Sequence, residues 1–113
     1  MKYINRLALD FTAALPYETI GCFQDAVNRA IPTLEGLDPI LDGSYRYRQE
    51  PINKCYQAAK KRNFHVFAVQ NGGWCASSFF AAHTFDRYGN SSACRADGKG
   101  GDLVNQVYVI KGN

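Results

Sequence analysis

The sequence predicts one small α+β domain, in which short antiparallel strands form a sheet or sandwich, one helix packs on it, and two disulfides hold the layers together. Three observations carry this. Residues 64–71 are apolar at both alternating sets of positions and run into Asn71-Gly72-Gly73; residues 51–62 carry a single apolar helical stripe; and Cys22, Cys55, Cys75 and Cys94 form an even, widely spaced set. At 113 residues the chain is long enough for a core of its own and short enough to gain from cross-links.

Residues 1–16 begin with a basic residue and end in small ones, as a secretory signal does, but Asp10 interrupts the apolar centre. The stretch is therefore read as an N-terminal extension, with 17–113 as the single domain. Tyr17 to Asp25 alternates as a first strand, with Ile20 and Cys22 on one side and Gly21 and Phe23 on the other. Pro32, Gly36, Pro39 and Gly43 then break residues 26–50 into a looped excursion. At its end, Tyr45-Arg46-Tyr47-Arg48 reads either as an edge strand with its tyrosines packed inward or as phenols and guanidiniums set to meet a ligand.

Pro51 suits the first position of a helix, where its missing N–H costs nothing, and Ile52, Cys55, Tyr56 and Ala59 then fall on one face. Lys54, Gln57, Lys60, Lys61 and Arg62 are left to face water, the last three complementing the helix dipole. Asn71-Gly72-Gly73 tolerates positive φ and reverses the chain before Trp74. Ser77 or Ser78 is placed to cap a helix running through Phe79, Phe80, Ala82, His83 and Phe85 to Tyr88, its aromatics buried and Gly89 its terminator. Gln106 to Ile110 closes the domain as a final strand.

A formal net charge of +3 is too small to imply nucleic-acid binding, and no run approaches the roughly 20 apolar residues of a membrane span. The cysteines lack the close pairing of a zinc site and read as two disulfides, which points to secretion; Asn90-Ser91-Ser92 adds an N-glycosylation acceptor. A thiol nucleophile built from Cys75, His83 and Asp86 would need a reduced cysteine, while all four can pair. His65 and His83 read as ordinary packed or surface histidines, and no carboxylate pair suits glycoside hydrolysis. The expectation is a protein that is not an enzyme and uses no cofactor or metal. Asp97 and Asp102 flank a glycine-rich turn without the ligand spacing of an EF-hand, so a structural turn is preferred there to a calcium loop.

Gly21-Cys22-Phe23-Gln24-Asp25, Arg29, Cys55 on a helix, Phe67-Ala68-Val69-Gln70 before Cys75, then Cys94 and a terminal Val107-Tyr108-Val109 together resemble the WSC domain. The resemblance covers about residues 17–111, in a distant, four-cysteine variant, and extends to secreted modules of marine invertebrates. It implies a small β-sandwich or curled sheet with a helix packed on it, similar to PAN/apple domains, and a carbohydrate-binding role without catalytic residues. It also implies Cys22 joined to Cys94 and Cys55 to Cys75; the residues by themselves leave all three pairings open.

The functional expectation is thus a secreted, lectin-like module whose partner is a glycan. The alternative is a structural or adhesive protein acting on other extracellular proteins or on copies of itself. The ligand site is expected around Trp74, Asn71, Tyr45, Tyr47, Asp97 and Asp102, with the indole stacking on a sugar face and amide or carboxylate groups bonding its hydroxyls. Core packing is the competing reading of Trp74. The Lys60-Lys61-Arg62 cluster, which offers charge alone, is set aside.

Overall fold

The computed structural model describes residues 15–112; most of the expected N-terminal extension, residues 1–14, lies outside them. Four strands, β1 (Tyr17–Gln24), β2 (Val66–Gln70), β3 (Trp74–Ser77) and β4 (Val104–Ile110), form one antiparallel sheet in the order β1-β4-β2-β3. Helix α1 (Pro51–Lys61) covers one face, and a short helix α2 (Ala81–Thr84) lies toward the other.

The two-faced apolar pattern of residues 66–70 is the pattern of a central strand, and every residue of β2 is buried. Phe67 and Val69 meet Cys55, Ala58 and Ala59 of α1, joined by Leu34, Leu41, Tyr108 and Ile110. Val66 and Ala68 face the other way, against Ala30, Ile31, Ala76, Ala81 and Val107. Asn71 (φ 54°) and Gly72 (φ 94°) make the turn into β3. The helix starts at Pro51 as its sequence demands, with Cys55 and Ala59 on the buried side.

Both disulfides match the pairing implied by the WSC likeness. Cys22–Cys94 closes β1 onto the segment before β4, and Cys55–Cys75 joins α1 to β3, with Cα separations of 5.9 and 5.4 Å. In the chain-entropy account, loops of 72 and 20 residues contribute about 4 and about 3 kcal/mol.

Local expectations fail where a side chain offers the backbone another partner. The alternation in β1 breaks at a bulge between Thr19 and Gly21: Thr19 Oγ1 accepts from the Gly21 N–H and donates to the Val107 carbonyl, leaving Ile20 exposed. Tyr45–Tyr47 is a 3-10 turn rather than an edge strand, begun by the Ser44 hydroxyl on the Arg46 N–H. The helix expected through 77–88 shrinks to four residues because Ser78 bonds the Phe80 N–H and the chain turns there, so Phe79 and Phe80 are 67% and 64% exposed rather than buried. Phe85 does pack, edge-on to Phe23 at 4.9 Å, and Gly89 (φ 88°) ends the segment.

The excursion from 26 to 50 contains only the 3-10 turns Pro39–Leu41 and Tyr45–Tyr47. It is fixed by Arg48, whose guanidinium binds Glu35 through two hydrogen bonds of 2.7 Å and also donates to the carbonyls of Gly73 and Leu41. Glu35 accepts the Cys75 N–H as well. Arg48→Met alone leaves the partly buried Glu35 carboxylate without its cation and is expected to cost about 3 kcal/mol in urea unfolding, whereas Arg48→Met with Glu35→Leu costs distinctly less than the sum of the single changes. Additive losses would show that the pair is not coupled.

Candidate functional site

The structure brings together the backbones, though not all the side chains, of the segments singled out in the sequence. At the β2–β3 turn the Gly72 N–H donates to the Lys99 carbonyl, and Gly73 lies so close to the Tyr45 carbonyl that an added Cβ would sit 2.3 Å from its oxygen. Asn71 and the loops holding Tyr45 and Asp97 therefore meet at one end of the sheet. Tyr47 is 84% exposed, Tyr45 is half-buried beside the Arg46 guanidinium, and Asp102 is exposed. Asp97 accepts the Lys99 N–H within its own turn.

Trp74 and Asp97 lie toward opposite faces of the sheet. Trp74 pairs with Gln70 and packs on the cluster of Ala68, Ala76 and Val107, with the Arg29 guanidinium 4.5 Å from its ring centroid. Asp97 is beside Tyr108, which belongs to the α1 face and donates to the Gly98 carbonyl at 2.6 Å. Burial, with Tyr17 and Asp97 nearby, pushes the Tyr108 hydroxyl up to about 12. One face of the indole is thus taken by a cation, and the carboxylate that was to share its ligand is across the sheet.

Arg29 belongs to a buried network that the sequence reading did not find. Asp25 accepts from Arg29 (3.0 Å), from the Ala30 N–H (2.9 Å) and from Gln70 Nε2 (2.9 Å), and Gln70 Nε2 also donates to Asn105 Oδ1 (2.7 Å). Burial raises the Asp25 carboxyl, but the bonds from Ala30, Gln70, Ala26 and Arg29 outweigh it and hold the group below the usual carboxylate range. The sequence signal was the Asp25–Arg29 spacing of four, which reads as an ordinary salt bridge.

A groove of about 410 Å³ opens between α1 and the Pro39–Leu41 turn, lined by Asp38, Ile40, Tyr56, Gln57, Lys60 and Lys61. Tyr56, Gln57, Lys60 and Lys61 project from α1 one turn apart, as their spacing requires. Tyr56 is propped from behind by Tyr17 (5.3 Å) and Phe67 (6.4 Å). Asp38 fixes the opposite wall: it caps the 3-10 turn through the Ile40 N–H (3.0 Å) and accepts from Arg62 Nη1 (2.6 Å) and Lys61 Nζ (3.0 Å). Arg62 is therefore not a solvated cation but a strut, donating also to the Leu37 carbonyl (2.7 Å). Lys60 has no carboxylate within 4.0 Å among the described residues, and its Nζ stands 5.9 Å from the Tyr56 ring centroid. The lysines were legible as a cluster; Asp38 and Ile40 were not, because only the fold brings that turn to the helix.

No known family model matches the chain, and no curated protein matches it. The buried carboxylates Asp25 and Asp38, and the partly buried Glu35, are all committed to cations and backbone N–H groups, and all four cysteines are cross-linked. His65 and His83 are exposed, and among the described residues no helix is long and apolar enough to cross a membrane.

Asp38 supplies a direct test of the groove wall. Its hydrogen bonds from Arg62 and Ile40, aided by Lys61, hold the carboxyl well below its ordinary range against the opposing effect of burial. A depressed carboxylate stabilises the fold above its unfolded value near 3.8, and that contribution fades as pH falls below it. Asp38→Asn is expected to cost about 2 kcal/mol at pH 7, with the gap between parent and variant narrowing steadily below about pH 4. A gap independent of pH in denaturant titrations would count against the ion pairs.

Proposed function

We propose that this chain is a secreted, non-enzymatic carbohydrate-binding module of WSC-like kind, with the groove on α1 as its saccharide site. The observation that carries the reading is the composition of that groove. A phenol ring and the Ile40 side chain offer apolar surface for the C–H face of a sugar, while Gln57 and Lys60 stand beside them with hydrogen-bonding groups. Its volume of about 410 Å³ lies in the range of small-ligand sites. The two disulfides support an oxidising compartment. Asn90 is exposed, with its carbonyl taken by Gln24 and the following Ser91 N–H bonded to Cys22, and an exposed side chain beside a cross-link is consistent with a glycosylation acceptor.

The second reading, adhesion between copies of the chain, has its own observation. Phe79 and Phe80 are both exposed and pack edge-on to each other at 5.3 Å, so the pair presents apolar surface to solvent.

A glycan array separates the two. Competable sugar binding is expected for the parent, with Tyr56→Ala and Gln57→Ala each weakening it by about tenfold, or roughly 1.4 kcal/mol. Circular dichroism establishes that each variant is folded. Absence of sugar binding, together with self-association in sedimentation that Phe79→Ser/Phe80→Ser removes, would favour adhesion instead. Expression through a eukaryotic secretory pathway should add one glycosidase-sensitive glycan, which Asn90→Gln abolishes.

A further inference from the structure

The hydrogen-bonding polarity of the groove specifies the charge of its ligand, an inference that rests on the groove being the saccharide site. Neutral sugars present hydroxyls, which need acceptors as well as donors, and the strongest protein acceptors are carboxylates and carbonyls. The carboxylate lining this groove is Asp38, whose side chain is 1% exposed. Its Oδ1 is taken by the Ile40 N–H and its Oδ2 by Arg62 and Lys61. It has little left to offer a hydroxyl. What faces the open groove has more donors than acceptors: the Lys60 and Lys61 ammonium groups only donate, while the Gln57 amide and the Tyr56 hydroxyl can do both.

Charge points the same way. Three cations, Lys60, Lys61 and Arg62, stand at this wall against the single carboxylate of Asp38, and Lys60 is the one with no carboxylate partner among the described residues. Its Nζ stands over the Tyr56 ring at 5.9 Å from the centroid, the outer limit of a cation–π contact and looser than the 4.5 Å of Arg29 on Trp74, so a sugar ring seated on the tyrosine moves the ammonium to the ring's rim and meets it there with a ring substituent. We infer that the groove takes an acidic sugar, a uronic acid residue of a polysaccharide, with its carboxylate on Lys60 and its apolar face on Tyr56 and Ile40. With Lys61 and Arg62 committed to Asp38, the one lysine left without a carboxylate partner among the described residues suits one carboxylate on a hexose better than the dense charge of a sulfated chain, which calls for several free basic side chains on one face.

Calorimetric titration of the intact, oxidised protein tests this with four probes: a galacturonate trisaccharide, the neutral galactose trisaccharide, a heparin disaccharide and inorganic phosphate. The uronate is expected to bind at least tenfold more tightly than the neutral sugar, and Lys60→Gln to remove most of that preference. Lys54→Gln, on the same helix but outside the groove, should leave the affinity unchanged. Equal affinity for the acidic and neutral trisaccharides would overturn the charge assignment while leaving the saccharide site standing. Binding of neither trisaccharide would remove both. Preference for heparin or phosphate over the uronate, or equal losses in Lys54→Gln and Lys60→Gln, would show diffuse cation attraction and overturn the inference as well.

Discussion

The fold depends on the junction where Glu35, Arg48 and Cys75 meet. Residues 26–50 leave the sheet after β1 and return to start α1, and ordering a stretch with so little regular structure costs about 1–2 kcal/mol per residue in backbone entropy alone. One guanidinium answers much of that cost by joining the excursion at Glu35 and Leu41 to the β2–β3 turn at Gly73. Cys75 is the fixed point: its N–H goes to Glu35, its carbonyl accepts from the Leu34 N–H and the Thr33 hydroxyl, and its sulfur is bonded to Cys55. The same contacts cover the outer edge of β3, where Ser77 also donates to the Pro32 carbonyl, so a strand that would otherwise expose its N–H and C=O groups is shielded by the loop.

On the opposite face, polar groups are buried in place of apolar ones. Asp25, Gln70 and Asn105 fill the end of that core, and Arg29 reaches from them to the Trp74 ring. A buried carboxylate survives there because Ala30, Gln70 and Arg29 together replace its water. The network holds residues 25–30 against β2 and β4 and gives Trp74 a structural task. An indole fixed by a cation on one face and by a core cluster beneath makes a firm wall for the sheet, and the core-packing reading accounts for its position.

What the sequence revealed follows from how local each signal is. Strand β2, the turn at Asn71-Gly72 and the start of α1 at Pro51 were legible because hydrophobic alternation, positive-φ residues and proline act within a few positions. The bulge at Ile20, the 3-10 turn at Tyr45 and the early stop at Ser78 were not, since each is decided by one hydroxyl bonding a nearby N–H, and such a choice leaves no periodic trace. The groove lay further out of reach. Lys60 and Lys61 were visible as a basic helix end, but their meaning changes only when Asp38 arrives from the excursion and draws Arg62 and Lys61 to itself, leaving Lys60 beside Tyr56. Conversely, Trp74 and Asp97 looked like partners because glycine-rich turns flank both, yet strand register sends the indole to one face while the loop wraps onto the other.

The two walls of the groove are held by different means, and that difference matters for binding. Its helical wall is covalently tied to the sheet through Cys55–Cys75 and backed by the Tyr17, Tyr56 and Phe67 rings. The Pro39–Leu41 wall is held by a cap and two cations on one carboxylate, with Leu41 buried in the core beneath and its carbonyl bound by Arg48. Arg48 therefore serves both the excursion and the groove, because the guanidinium that pins Glu35 to the hairpin also fixes the far end of the Asp38 turn. If the groove is the saccharide site proposed above, a ligand entering between such walls has little protein left to order, so the affinity of a few modest contacts is not spent on fixing the site. Lys60 is exposed and has no carboxylate partner among the described residues, so in the proposed site it is the cation left open to a ligand's carboxylate.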